Sequence, residues 1–261
     1  MRRGLNATPD RSSSDIATVA AIGALCYIVA DVVHEAIGHG GACLATGGRI
    51  ILLTSVFFRS DPGSRLVDAA GPGANLVAGL FLLGLSKRAR PGATGFFLLL
   101  AAAFNLFWCA GYFLYSGASN QGDWALVIRD WPPPILWRTI LFLLGLVLYT
   151  FSIRQTIRGL ARLGDQPGTR ANTTRLFFIP YFAAGLTACA VALFDRFQTG
   201  EALVGAFREA FLANVVLSMM PRWLSRTSNI APLISRQPRW IVAAVIALVL
   251  FSLTMGRGYR L

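Results

Sequence analysis

The stretch His34-Glu35-Ala36-Ile37-Gly38-His39, HEAIGH, holds both histidines of a 261-residue chain and sets a glutamate beside the first. The familiar zinc-peptidase pattern, H-E-x-x-H, puts two histidines one helical turn apart on a single face, next to a general-base glutamate. Here the histidines are five apart. On an ideal α-helix, at about 100° per residue, a spacing of five separates two side chains by about 140°, too far to share one ion, whereas four separates them by about 40°. A π-type turn, which closes over one extra residue and recurs at functional sites, returns them to one face. Gly38 just before the second histidine and Gly40-Gly41 just after it supply a backbone that tolerates the distortion. The stretch is therefore either a strained variant of the metal motif or a polar helix end that meets headgroups and water.

What surrounds it is apolar. With 55% hydrophobic and only 14% charged residues, the chain is not an ordinary water-soluble domain. Runs long enough to cross a bilayer, about 17–25 residues each, are expected near 15–38, 66–86, 93–115, 135–153, 174–195 and 239–256. A further segment near 203–220 carries Arg208 and Glu209 and reads as a span or as an interfacial helix. The first run ends in His34, Glu35 and His39 without a small-residue cleavage site, which makes it a retained helix rather than a signal peptide. Ionisable residues within a span are costly, and so are functional candidates by default.

The formal net charge of +12 is not spread over a surface. Arg2, Arg3 and Arg11, then Lys87, Arg88 and Arg90, then Arg154, Arg158, Arg162 and Arg170, then Arg222, Arg226, Arg236 and Arg239 form clusters beside the spans, the positive-inside pattern. No nucleic-acid partner is expected; the partner is the lipid bilayer. The clusters place the N-terminus and the loops after spans two and four in the cytoplasm. The Arg222–Arg239 cluster joins them only if 203–220 crosses, which favours seven spans. Cys26, Cys43, Cys109 and Cys189 are scattered, with neither a disulfide framework nor a cysteine zinc site among them.

Two resemblances bear on the motif. Its spacing is similar to the H-E-x-x-x-H of the dipeptidyl-peptidase III family, soluble enzymes in which the pattern binds zinc; that likeness covers six residues. Over about residues 20–130 the chain resembles the site-two protease family of intramembrane metalloproteases, peptidase family M fifty. After His39 the run GGACLATGGRIILLT looks like that family's small-residue helix, glycine and short strand-forming segment, and in AAGPGANLVAGL the residues Gly71, Pro72 and Asn75 match its G-P-x-x-N at the start of a transmembrane helix. As plain chemistry, Gly71-Pro72 also makes a loop-to-helix junction. That reading does not explain Asn75, an amide that needs a partner one turn into an apolar helix.

The resemblance implies a third zinc ligand from an aspartate at a later span. Asp123 in SGASNQGDW is the candidate, although the order here is Gly122-Asp123 where the family has Asp-Gly. An ordinary loop aspartate explains it as well, and Asp68 and Asp130 are alternatives. The expected fold is an all-α polytopic membrane protein of six or seven transmembrane helices with a short strand or hairpin segment after the first. It would comprise a disordered basic N-terminus (1–14), a metalloprotease-like membrane core of spans one to three (15–130), and additional helices and basic loops (131–261). The expected location is multi-pass in a bacterial inner (plasma) membrane.

In an up-down-up arrangement His34, Glu35, His39, Asn75 and Asp123 fall on one side of the membrane, the non-cytoplasmic one by the basic-loop count; known family members face the cytosol. The implied chemistry is hydrolysis of membrane-associated polypeptides. Zn2+ would be held by His34, His39 and Asp123, Glu35 would act as general base, and Asn75 would donate to the oxyanion. The alternative is a catalytically inactive scaffold or partner-binding protein that keeps the helices without the metal.

Overall fold

The computed structural model describes residues 13–164, 173–227 and 232–260. Most of the expected N-terminal segment, 1–12, and Arg170 lie outside the described residues. Among the described residues, six helices are long and apolar enough to cross a membrane. The first is a composite rod: α1 (Ile16–Val32) passes without a break through a π-helical turn (Val33–Gly40) into α2 (Gly41–Ala45). Asp15 caps its start, its carboxylate accepting from the Thr18 N–H at 2.8 Å and the Thr18 hydroxyl at 2.7 Å.

The rod ends in a hairpin, β1 (Arg49–Leu53) and β2 (Phe58–Asp61), which fulfils the expectation of a strand segment after the first span. Next come α3 (Arg65–Arg88), α4 (Ala93–Ser119), the single turn α5 (Asp123–Val127), α6 (Pro134–Leu163) and α7 (Thr173–Ala192). α4 is the most buried of the long helices, enclosed by α1, α3 and α6. Its Phe96, Leu99, Phe104, Phe107 and Trp108 form the centre of the core. The membrane runs are longer than expected: the first extends to Ala45 and the fourth to Leu163, because their polar ends remain helical beyond the apolar stretch. Gly71-Pro72 is not a helix start. α3 begins six residues earlier, where the Ser64 hydroxyl caps the Val67 N–H at 3.2 Å, so Pro72 stands inside the helix.

Helix directions follow from contacts along their lengths. At the motif end, Ser55 N–H donates to Met255 O at 3.0 Å and Val191 of α7 meets Gly256. At the opposite end, Asp15 N–H donates to Ile234 O at 2.8 Å, Ile234 N–H to Ser14 Oγ at 3.1 Å, and Gln237 N–H to Thr18 Oγ1 at 3.0 Å. α7 therefore ends where the motif lies and α10 (Pro238–Phe251) starts at the far end. The chain between them runs the length of the bundle.

That traverse includes the segment 203–220, and it is broken. α8 (Thr199–Ala206), a π turn (Phe207–Leu212), a 3-10 turn (Val215–Ser218) and α9 (Met220–Thr227) succeed one another. Non-helical backbone at membrane depth must find partners inside the protein. Here the Tyr181 hydroxyl donates to Phe211 O at 3.3 Å, the Tyr149 hydroxyl to Ala213 O at 2.8 Å, and Asn214 Nδ2 to the carbonyls of Glu209 and Ala210, each at 3.2 Å. After α10 the chain returns to the motif end, where β3 (Tyr259–Arg260) pairs antiparallel with β1 and gives the sheet order β2-β1-β3.

This path makes a labelling prediction. In a background with Cys189 replaced by alanine, Gly200→Cys and Ser235→Cys will react with a membrane-impermeant maleimide from opposite sides of sealed vesicles. Labelling of both from one side contradicts the traverse.

Candidate metal centre

The site begins with the π turn. Over Val33–Gly40 the backbone bonds close across five residues, and the histidines that an α-helix would splay are brought together. Their ring centroids lie 4.8 Å apart at 84°, with the Nε2 atoms 3.3 Å from each other. α3 crosses hard against this turn. A Cβ on Gly38 would stand 2.7 Å from both Ala70 O and Gly71 Cα, and a Cβ on Gly71 would collide with His39 Nε2. The two glycines let the helices touch and keep clear the space beside that nitrogen.

Asp123 arrives from the other direction. α4 stops at Asn120 in the left-handed region (φ 57°), and Gly122 (φ 82°) turns the chain back so that Asp123 opens α5 over the histidines. A glycine before the aspartate is thus what this turn requires. Asp123 Oδ2 lies 3.1 Å from His34 Nε2 and 3.5 Å from His39 Nε2.

The donor chemistry of this triangle fits a cation. His39 Nδ1 lies 2.7 Å from the Val67 carbonyl, which only accepts, and His34 Nδ1 lies 2.6 Å from Asn75 Oδ1. Both imidazoles therefore carry their proton on Nδ1, and when neutral both direct an Nε2 lone pair at the same point. The third corner, Asp123 Oδ2, is buried without a hydrogen-bond partner. Three lone pairs facing one another at a buried point repel unless a proton or a metal ion lies between them. The triangle's edges of 3.1, 3.3 and 3.5 Å also match the spacing of about 3.3 Å expected between ligands bound about 2.0–2.1 Å from a tetrahedral zinc. A zinc held by these three residues alone would keep its fourth position open, as in catalytic rather than structural sites.

Among the expected alternatives, Asp130 pairs with Arg65 at 2.9 Å on the surface, and Asp68 does not join the group of three. Glu35 is buried, with Oε2 unpartnered and within electrostatic reach of His34, His39 and Asp123. Asn75 is drawn into the site in a different capacity from the one expected. Its Nδ2 already donates to Ala30 O and to Asn105 Oδ1, both at 2.9 Å, which leaves no amide proton for an oxyanion. Its oxygen serves His34 instead.

Several residues at the site escape a linear reading. Trp108 stacks on the His34 ring at 5.6 Å, Tyr112 lies 4.8 Å from the same ring, and Phe58 of β2 stacks on His39 at 5.4 Å. These walls exclude water, and the hairpin exists in part to place one of them. The Tyr112 hydroxyl donates to Glu209 Oε1 at 3.1 Å, which ties the broken traverse to the site. Asn105, the only amide in the run 96–110, carries the one usable signal, since an intramembrane amide needs a partner.

No family model matches the chain, and neither the curated proteins nor the solved structures contain a match.

Deleting Ile37, which is 61% exposed, converts the motif to H-E-x-x-H and the π turn to an α turn. The deletion variant is expected to keep zinc, measured by elemental analysis, whereas Gly71→Ala loses it. Loss in the deletion and retention in Gly71→Ala would show that neither the turn nor the glycine contact governs the histidines.

Proposed function

We propose that this chain is a membrane-embedded zinc metallopeptidase that hydrolyses peptide bonds of membrane-associated polypeptides. The observation that carries this reading is the convergence of two Nδ1-protonated imidazoles and an unpartnered carboxylate oxygen on one point, beside a buried glutamate. The non-catalytic alternative draws on the five-residue spacing and on the weak match of the third ligand; the π turn and the place of Asp123 beside the two histidines weigh against it. The resemblance to the site-two protease family in the GGACLATGGRIILLT and AAGPGANLVAGL stretches supports the same assignment.

His34, His39 and Asp123 would hold the ion. Bound there, zinc supplies Lewis acidity that polarises a carbonyl and brings the pKa of water towards neutral. Glu35 takes the proton of the attacking water at its free Oε2 and delivers it to the departing amine nitrogen. Trp108, Tyr112 and Phe58 hold the two rings and keep bulk water from competing. Asn75 holds the His34 ring from behind. The six apolar helices among the described residues suit a multi-pass membrane protein, and the basic clusters suit its cytoplasmic side.

The test is cleavage of transmembrane peptides by the protein reconstituted in liposomes. Cleavage should cease with a chelator and return with zinc, and Glu35→Gln should lower kcat by about 100-fold or more, in line with general-base catalysis, while zinc content is unchanged. Cleavage that persists in Glu35→Gln, or its absence from zinc-loaded parent protein across such peptides, contradicts the proposal.

A further inference from the structure

Behind His34 the hydrogen bonds continue through a second amide. We infer that Asn105, on α4, is a positioning residue that fixes the ring tautomer of His34 through Asn75; the inference deepens the metal-site reading and rests on it for its purpose.

Each link has only one direction. Asn105 Nδ2 lies 2.9 Å from the Ala101 carbonyl, which can only accept, so Asn105 must turn its oxygen towards α3. That oxygen accepts from Asn75 Nδ2 at 2.9 Å, and the same nitrogen gives its other proton to Ala30 O at 2.9 Å. Asn75 is left with its oxygen towards His34 Nδ1, 2.6 Å away, so the imidazole must donate there. A flipped Asn75 would set its oxygen against two acceptors and its NH2 group against the histidine. Asn75 and Asn105 are both fully buried, so water cannot compensate a flip.

The consequence lies on the far side of the ring. With the proton held on Nδ1, His34 Nε2 keeps its lone pair towards Asp123 and His39; with the opposite tautomer, Nε2 carries a hydrogen and cannot ligate. His39 needs no such relay, because the Val67 carbonyl fixes its tautomer directly. Three helices are thereby joined to one ligand nitrogen: Ala30 and His34 from the first rod, Asn75 from α3, Asn105 from α4.

The chain has only two histidines, so ring-15N-histidine labelling reports four nitrogens and nothing else. In metal-free protein at alkaline pH, the parent should show two Nδ1–H tautomers. Asn105→Leu, close to asparagine in size, should turn the His34 pair into a tautomer mixture, leave His39 unchanged, and raise the zinc dissociation constant about 10- to 100-fold, the usual range for residues that support a ligand. Asn105→Asp, which retains an acceptor oxygen towards Asn75, should restore the parent pattern. If leucine is not accommodated, Asn105→Ala gives the same readout.

An unchanged His34 signature in the leucine or alanine variant overturns the inference. So does an equal change at both histidines, which would report general loosening. Because the tautomers are read without metal, a parent that shows them but retains no zinc sinks the peptidase reading and leaves the relay standing.

Discussion

The five-residue closure of the helix at Val33–Gly40 is the constraint on which the rest depends. An α-helix through the same residues would send His39 about 140° away from His34, and no rearrangement of the neighbouring helices would reunite them. A π turn is an uncommon conformation, and it persists only where packing fixes it. That packing is the contact of Gly38 with Ala70 and Gly71, which leaves the turn no room for a Cβ and lets α3 lie against the histidines. The same contact supplies the Val67 carbonyl to His39 and the Asn75 oxygen to His34. One close approach of backbones therefore shapes the turn and also orients the donors it presents.

Electrostatics explains why the site is coherent only as a whole. Three convergent lone pairs in a water-poor interior are unfavourable without a cation, and the aromatic rings around the histidines deepen that penalty by lowering the local polarity. The polar groups behind the ligands contribute little to stability. Hydrogen bonds between membrane helices average about 0.6 kcal/mol, so the Asn75–Asn105 pair is better understood as a device for direction than for strength. The broken traverse follows the same logic. Its open carbonyls are taken up by Tyr149, Tyr181 and Asn214, and the Tyr112–Glu209 bond anchors it to the wall of the site.

Much of this was legible in the sequence, and the reasons it was legible are local. Apolar runs mark helices because a bilayer demands about 20 such residues, and HEAIGH together with Gly38 indicates a π turn because only that geometry makes the spacing useful. Asp123 is readable as a candidate from its place after the third span, although the need for Gly122 before it becomes clear only from the reversed chain direction at Asn120. Other features depend on contacts that local patterns do not encode. The traverse has no long apolar window because its helix is interrupted. β3 is two residues long and is defined by its pairing with β1. Pro72 reads as a helix start because proline favours first turns, whereas the Ser64 cap sets the boundary earlier. The engagement of both Asn75 amide protons depends on Ala30 and Asn105, each from a different helix.

The most direct test of the central claim is X-ray absorption at the zinc edge on protein purified with zinc supplied, combined with metal analysis. The account predicts about one zinc per chain, bound by two imidazole nitrogens and by oxygen at about 2.0–2.1 Å, with no sulfur neighbour. Failure to retain zinc, or a shell containing a cysteine sulfur such as that of buried Cys43, would contradict it.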